Sequence, residues 1–218
     1  CVDASVLLTF LMNTTATVPV VMAISGADPT GGAGIQADIE TLASLGCHAA
    51  PVITSIAAQD TNNVLGISQI DERVIIEQAR LVLEDMSVAA IKIGLIDSEK
   101  TARAIHTLLT NYPNLPVILD PIIASNTGKI LADSSAIAAI ISLLIPLATV
   151  VTPNSLEARK LAPEADTLDA CAMAILEHGA HYVLVTGGHE NTHEVHNVLY
   201  GNNRKLDVRT RSRLPDQY

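Results

Sequence analysis

The chain has 218 residues, of which 49% are hydrophobic and 17% are charged, a composition typical of a globular protein rather than a disordered one. Its formal net charge of −10 argues against a surface of clustered lysine and arginine, and so against a nucleic-acid or anionic-membrane partner. One phenylalanine, four tyrosines and no tryptophan leave little aromatic surface for base stacking.

The length suits one large domain, and no repeat, low-complexity tract or linker divides the chain. Met12 is a candidate natural start, so residues 1–11 are expected to be a tag, an upstream read-through or an unusual extension. The predicted division is an extension or non-native leader over 1–17 and one domain over 18–218. The apolar runs at 5–12 and 136–151 are shorter than the ~20 residues of a membrane span. Scattered cysteines without metal-binding spacing indicate reduced thiols and a cytoplasmic location.

Nearly continuous apolar runs along the chain predict strands buried on both faces of a parallel sheet. The predicted strands are Val18–Ser25, Ala49–Ala57, Ala89–Leu95, Val117–Ile123, Thr149–Thr152 and Tyr182–Thr186. Two further stretches break the pattern: 61–70 is expected to form a turn and a short strand, and 194–214 a hairpin around Gly201-Asn202-Asn203.

Helical patterns lie between the predicted strands. Asp71 and Ser98 are suitable N-caps for the helices that follow them. The predicted helices are Glu72–Met86, Glu99–Leu109, Ser134–Leu144, Ser155–Leu161 and Leu168–His178. This strand–helix alternation predicts an α/β domain with α/β/α layers and right-handed crossovers.

The glycine-rich stretch "SGADPTGGAGIQADIETL", residues 25–42, joins the first strand to a helix. It is not a P-loop, because no lysine occurs from Cys1 to Ile91, and its glycines do not follow G-x-G-x-x-G. Two interpretations remain open. The glycines either form a tight turn that needs positive φ, or bring backbone N–H groups to a ligand at the carboxyl end of a strand.

Asp38 falls inside the apolar arc of the helix that follows this turn, near Ile35 and Leu42 at 100° per residue. A buried carboxylate is costly unless a partner pairs with it, and of the two candidate partners, a protein group or a polar ligand, the ligand is favoured. Lys92 lies inside an apolar strand, where it either pairs with a carboxylate or reaches out at the end of the sheet.

These residues resemble a known family. "AISGADPTGGAGIQADIETLASLG" is similar to the N-terminal signature of hydroxymethylpyrimidine/phosphomethylpyrimidine kinases, in the ribokinase-like superfamily. Further similar segments follow in order: "VITSIAAQDT", "IKIGLI", "VILDPII", "VTPNSLEA" and "VLVTGGH". The resemblance implies a three-layer α/β/α ribokinase-like sandwich with a mostly parallel central sheet, here lacking its C-terminal part.

The resemblance also implies a pocket for an aminopyrimidine. Asp38 and Gln59 would hydrogen-bond the ring, since a carboxylate and an amide together offer acceptors and a donor. Gly26 would contribute backbone to the pocket wall, and Leu95, where the family usually has methionine, and Ile122 would contribute apolar surface.

Residues of the later strands are implied to hold Mg²⁺ and ATP. Asp120 and Glu157 would hold or order the metal, which prefers a few carboxylates together with water and phosphate oxygens. The implied ATP-binding residues are Asn154, Thr186, Gly187, Gly188 and His189. The other histidines of "HENTHEVH" are expected to lie in a polar turn, since H-E-x-x-H is absent.

The implied reaction is in-line phosphoryl transfer from ATP to a hydroxymethyl or phosphomethyl oxygen. Such families carry a Gly-x-Gly-Cys or Gly-x-Gly-Asp anion-hole turn, and neither occurs in the chain, so the catalytic segment is expected beyond Tyr218. The alternatives are a pyridoxal-type kinase of the same superfamily and a truncated, non-catalytic pyrimidine-binding module. The expected partners are a small pyrimidine substrate and, by analogy with the family, a second copy in a homodimer.

Overall fold

The computed structural model describes residues 18–124, 130–190 and 192–213, and the predicted leader at 1–17 lies outside them. Within these residues nine strands form one sheet. They are β1 (Val20–Ala27), β2 (His48–Gln59), β3 (Val64–Gln69), β4 (Val88–Ile93), β5 (Val117–Leu119), β6 (Val150–Val151), β7 (Tyr182–Val185), β8 (Glu194–Gly201) and β9 (Arg204–Ser212). Each predicted strand is present, with ends shifted by a few residues.

Six α-helices accompany the strands in the described part of the chain. They are α1 (Gly34–Ser44), α2 (Glu72–Asp85), α3 (Glu99–Thr110), α4 (Ser134–Ala139), α5 (Ser155–Leu161) and α6 (Leu168–Glu177). The predicted caps are confirmed, since the side chains of Asp71 and Ser98 accept hydrogen bonds from the backbone N–H groups of Arg73 and Thr101.

The sheet has the order β3-β2-β1-β4-β5-β6-β7-β8-β9. The strands from β2 to β7 in this order pair in parallel, and β3, β8 and β9 pair antiparallel at the two edges. The predicted mostly parallel α/β sheet is therefore confirmed.

The predicted hairpin is also present, and Asn202 and Asn203 both adopt positive φ in its two-residue turn, at 51° and 55°.

Two predicted elements are shorter than the sequence suggested, and proline explains both. β5 ends at Leu119 rather than Ile123, because Pro121 offers no N–H to continue the ladder and the chain turns there, with the Ile122 N–H donating to the Asp120 carbonyl. The helix predicted to reach Leu144 stays α-helical to Ala139 and then widens into a π-helical turn over Ile140–Leu144. Pro146, just beyond, cannot be accommodated in a regular α-helix.

Alternate residues of β1 point to opposite faces of the sheet. Met22 and Ile24 join the larger core cluster, which includes residues of α2 to α6. Val21 and Ala23 join a smaller cluster with Ile35 of α1. Strands that are apolar on both faces are thus covered on both faces, as the continuous apolar runs indicate. In the described part of the chain, no helix is long and apolar enough to cross a membrane.

Candidate active site

The predicted site residues gather at the carboxyl edge of the parallel strands. Leu95, Asp120 and Thr186 each come shortly after the end of a strand, β4, β5 and β7 respectively. Asn154 follows β6, and its backbone pairs with Thr186 in an isolated parallel bridge. This edge is where ligands bind in open α/β sheets, so the topology brings together residues that are up to 91 positions apart in the sequence, from Leu95 to Thr186.

The turn between β1 and α1 is organised by a residue that sequence reasoning missed, Asp28. Its carboxylate, which is almost wholly buried, accepts hydrogen bonds from the Thr30 backbone N–H at 2.8 Å, the Thr30 hydroxyl at 2.8 Å and the Ala33 N–H at 2.9 Å. The Asp28 N–H in turn donates to the Gln36 side-chain oxygen at 2.8 Å. The Asp-Pro-Thr-Gly order was the available signal, because aspartate often bonds the backbone two residues ahead in such turns.

The glycines of this turn have a steric role. Gly31 and Gly34 adopt positive φ, at 76° and 61°. A Cβ at Gly34 would lie 2.5 Å from the Gly26 carbonyl oxygen, and one at Gly26 would lie 2.7 Å from the Ser55 hydroxyl oxygen and 3.4 Å from Leu95 Cδ2. The tight-turn interpretation is therefore confirmed. The same contacts place Gly26 beside Leu95, two residues expected in one pocket wall.

Asp38 has a protein partner, which corrects the preference for a ligand. Lys92 Nζ lies 2.8 Å from Asp38 Oδ1 and 2.9 Å from Oδ2, and the two side chains are 8% and 16% exposed. Lys92 lies two residues after Ala90 on β4, so the two side chains point to the same face of the sheet. That face packs against α1, the helix that carries Asp38. Of the two possibilities for Lys92, pairing with a carboxylate is correct. The exposed fraction of Asp38 leaves room for a ligand contact as well.

Glu157 and Asp120 form the acidic part of the site. The Glu157 carboxylate, which is 6% exposed, accepts from the Asn154 backbone N–H at 2.8 Å. Burial and the nearby charge of Asp120 raise the pKa of Glu157 to about 7, against the opposing effect of the Asn154 hydrogen bond. Burial likewise raises the pKa of Asp120, opposed by the positive charge of Lys92. The pKa of each carboxylate therefore depends on a nearby charge, that of Asp120 for Glu157 and that of Lys92 for Asp120.

Asn154 and Glu157 also build the helix that carries them. Asn154 is the N-cap of α5, and its Oδ1 accepts from the N–H groups of Leu156 and Glu157, both at 2.9 Å. Together with the Glu157 bond to the Asn154 N–H this is a complete capping box. The Asn154 Nδ2 group makes no hydrogen bond to the described residues, so a donor remains available for a ligand.

The Thr-Gly-Gly-His segment, 186–189, forms a turn beside Asn154. The Thr186 N–H donates to the Pro153 carbonyl at 2.9 Å, and the Gly187 N–H to Asn197 Oδ1 at 3.3 Å. A Cβ at Gly187 would lie 2.4 Å from the His196 carbonyl oxygen, so the backbone passes very close to β8. Gly188 and His189 are exposed at the tip of the turn.

The remaining residues of the acceptor side, meaning those predicted to contact the pyrimidine that accepts the phosphoryl group, lie at the same carboxyl edge of the sheet. Gln59, the last residue of β2, pairs with Val64 of β3 and is partly exposed. Ile122, in the turn after β5, is also partly exposed. The Gln59 side chain makes no hydrogen bond to another described residue. Both Gln59 and Ile122 remain predicted ligand contacts.

Comparison with known proteins gives a consistent result. The family model described as phosphomethylpyrimidine kinase matches residues 28–217. A hydroxymethylpyrimidine/phosphomethylpyrimidine kinase of Rhizobium meliloti is 38% identical over 186 residues, which cover 83% of this chain and 70% of that relative.

Solved structures extend the comparison to the fold. The phosphomethylpyrimidine kinase of Clostridium difficile 630 is 32% identical, with a TM-score of 0.79 over 90% of this chain and 85% of that one. A pyridoxal kinase of Bacillus subtilis, solved as an ADP complex, is 28% identical, with a TM-score of 0.80 over 92% of this chain and 77% of that one. The ribokinase-like architecture implied by the sequence motifs is confirmed.

Proposed function

Because the chain belongs to the phosphomethylpyrimidine kinase family, we propose that it transfers a phosphoryl group from ATP to 4-amino-5-hydroxymethyl-2-methylpyrimidine and to its monophosphate. Its family is one of phosphotransferases in thiamine biosynthesis. The observation that carries the proposal is the arrangement of the carboxyl edge, where acceptor-side residues on β1, on β2 and just after β4 adjoin acidic and turn residues after β5, β6 and β7.

On the acceptor side, the Asp38 carboxylate accepts a hydrogen bond from the ring amine. The ammonium of Lys92 fixes both carboxylate oxygens from one side, so the orientation of Asp38 is set before the substrate arrives. The Gln59 amide supplies a donor and an acceptor for the ring nitrogens. Gly26, Leu95 and Ile122 provide close backbone and apolar surface to the ring.

On the phosphate side, Asp120 and Glu157 would hold Mg²⁺. No group of three histidine, cysteine, aspartate or glutamate side chains suited to a metal occurs among the described residues. A pair of carboxylates nevertheless fits Mg²⁺, which takes its other ligands from water and phosphate oxygens. When bound, the ion supplies positive charge that offsets the charge of the triphosphate.

The residues of the Thr186–His189 turn would orient the nucleotide. The Thr186 hydroxyl and the Asn154 Nδ2 group can donate to phosphate oxygens, and the glycines allow close approach of the backbone. Catalysis then depends on positioning and on charge neutralisation rather than on covalent chemistry. A cytoplasmic location and a homodimeric assembly belong to the same proposal.

Pyridoxal is the second candidate acceptor. The likeness to the Bacillus subtilis pyridoxal kinase, at 28% identity and a TM-score of 0.80, favours it. A pocket built for one substituted heterocycle can often admit another, because the apolar walls around the ring are similar.

The test first compares the affinities of the two candidate acceptors and then distinguishes binding from turnover. Calorimetric titration of the 218-residue chain with hydroxymethylpyrimidine and with pyridoxal ranks the two ligands, and a coupled assay of ATP consumption measures turnover. We expect tighter binding of the pyrimidine, and stronger binding of pyridoxal would contradict the substrate assignment. Because neither anion-hole motif occurs in this chain, we expect binding without turnover from it, and that result does not by itself separate the kinase from a binding module.

A pair of variants tests the role of Asp38 in this experiment. Asp38→Asn keeps the shape of the side chain, whereas Glu40→Gln removes a carboxylate from the exposed face of the same helix. We expect Asp38→Asn to weaken pyrimidine binding about tenfold, as loss of a charge-assisted hydrogen bond does, and Glu40→Gln to have no effect. Equal affinities in all three proteins would rule out Asp38 as a substrate ligand.

A further inference from the structure

Arg213, which follows β9, binds the backbone of the turn after β7. Its Nη1 donates to the Gly188 carbonyl at 2.7 Å, its Nη2 to the Glu190 carbonyl, and its Nε to the Thr192 carbonyl at 3.1 Å. One planar guanidinium thus holds three carbonyl groups from one stretch of chain. Guanidinium is suited to this because its N–H groups point outward in a fixed fork.

A second arginine holds the same turn from the other side. Arg159 of α5 donates to the Glu190 carboxylate at 2.9 Å and 3.3 Å, and to the Ser155 carbonyl at 3.1 Å. The proximity of Arg159 lowers the pKa of Glu190, which keeps that carboxylate charged. The turn Gly187–Glu190 is therefore tied to α5, to the end of β9 and, through Gly187 and Asn197, to β8.

This anchoring decides which way the peptide groups of the turn point. In a trans peptide group the carbonyl and the N–H of the next residue lie in one plane and point in opposite directions, so drawing the Gly188 carbonyl toward Arg213 directs the His189 N–H away from it. The N–H groups of Gly188 and His189 have no acceptor among the described residues. Consecutive free N–H groups in a turn form a concave site that favours anions.

We propose that Arg213 is a positioning residue for the nucleotide, which orients the Gly187–Glu190 turn so that the N–H groups of Gly188 and His189 receive a phosphate oxygen. The inference rests on the proposed function, in which this turn binds ATP. Arg213 itself donates to backbone carbonyls on the other side of the turn and does not contact the nucleotide.

The test compares nucleotide and pyrimidine affinities in the 218-residue chain, using a fluorescent ADP analogue with Mg²⁺ and calorimetric titration with hydroxymethylpyrimidine. We expect Arg213→Ala to weaken nucleotide binding about tenfold, because several hydrogen bonds that set the turn are lost, with pyrimidine affinity unchanged. Arg213→Lys keeps the charge on a single nitrogen that cannot span three carbonyls, so we expect a loss nearly as large. Arg211→Ala is the matched control, an exposed arginine two residues earlier in β9.

The outcomes separate this inference from the proposed function. Failure of the unmodified chain to bind the nucleotide would overturn both. Normal nucleotide binding by Arg213→Ala, or equal losses in Arg213→Ala and Arg211→Ala, would overturn the inference alone.

Hydrogen exchange of the ligand-free proteins gives a second measurement. We expect the Gly187 and Glu190 amides, which are hydrogen-bonded to Asn197 Oδ1 and to the Gly187 carbonyl, to exchange at least several times faster in Arg213→Ala than in Arg211→Ala, because the turn loses its anchor. Equal exchange in the two variants would also overturn the inference, and circular dichroism confirms that each variant is folded.

Discussion

The ammonium of Lys92 contacts both carboxylate oxygens of Asp38, at 2.8 and 2.9 Å, and joins β4 to α1 across 54 positions of sequence. The pair lies beside the smaller of the two core clusters, against β1 and next to Gly94. A Cβ at Gly94 would come within 2.8 Å of Lys92 Nζ and 2.5 Å of the Ser25 hydroxyl oxygen. The glycine after β4 therefore provides the space in which this ion pair forms.

Removing one partner of this pair should destabilise the protein strongly. Lys92→Met leaves the Asp38 carboxylate in the core without its partner, and we expect the free energy of unfolding to fall by about 3 kcal/mol. The double variant Lys92→Met/Asp38→Asn removes both charges and should recover most of that loss. Urea denaturation provides the measurement, with Lys100→Met, at an exposed position of α3, as the control. A double variant as unstable as Lys92→Met would show that the ion pair is not the cause.

The two glycines of the Thr-Gly-Gly-His turn should respond differently to alanine. Gly187→Ala places a Cβ 2.4 Å from the His196 carbonyl oxygen, a backbone atom that cannot move without disturbing β8, and we expect a loss of about 1–3 kcal/mol. Gly188→Ala meets no atom within 4 Å and should change stability little. Thermal denaturation of the two variants gives the comparison, and similar melting temperatures would contradict the close contact with β8.

Glu157 should make stability depend on pH. Its pKa is raised from 4.5 to about 7 in the folded protein, so the native state holds the proton more tightly than the unfolded chain. This contribution is fully present below pH 4.5 and is lost as the pH rises to about 7, a decrease on the order of 3 kcal/mol in the free energy of unfolding.

Glu157→Gln isolates this effect, because glutamine preserves the capping box but does not titrate. Urea denaturation between pH 4.5 and 8 should show a smaller decrease with rising pH in Glu157→Gln than in the unmodified protein. Glu164→Gln, at an exposed position, should retain the original pH dependence. If Glu157→Gln followed the same curve as the unmodified protein, burial would not be raising the pKa of Glu157.

Variants of Asn154 should separate its structural role from its proposed role as a ligand. Asn154→Ser retains an oxygen that caps α5, whereas Asn154→Ala does not, so we expect only the alanine variant to lose about 1 kcal/mol of stability. Both variants lack Nδ2, and both should bind ADP more weakly than the unmodified chain. A serine variant with unchanged ADP affinity would assign Asn154 to helix capping alone.

Local sequence signals were sufficient for most of the architecture. Apolar runs predicted the buried strands, Asp71 and Ser98 predicted helix starts, and Asn202-Asn203 predicted the hairpin turn, because each depends on residues close together in the chain. Boundaries failed near Pro121 and Pro146, where the missing N–H ended or distorted an element. Family motifs then identified the candidate site residues, whose roles as ligand contacts are still predictions.

The sequence by itself determined the alternation of strands and helices and the position of Asp38 on the apolar side of α1. Only the tertiary structure decided that Lys92 is the partner of Asp38, because helical periodicity gives the face of a residue but not the distant strand that meets it. The glycine-rich stretch is likewise a turn built around Asp28, with little room for side chains near Gly26 and Gly34. Charge pairing and close backbone contacts depend on elements far apart in the sequence, so they become visible only when the chain is folded.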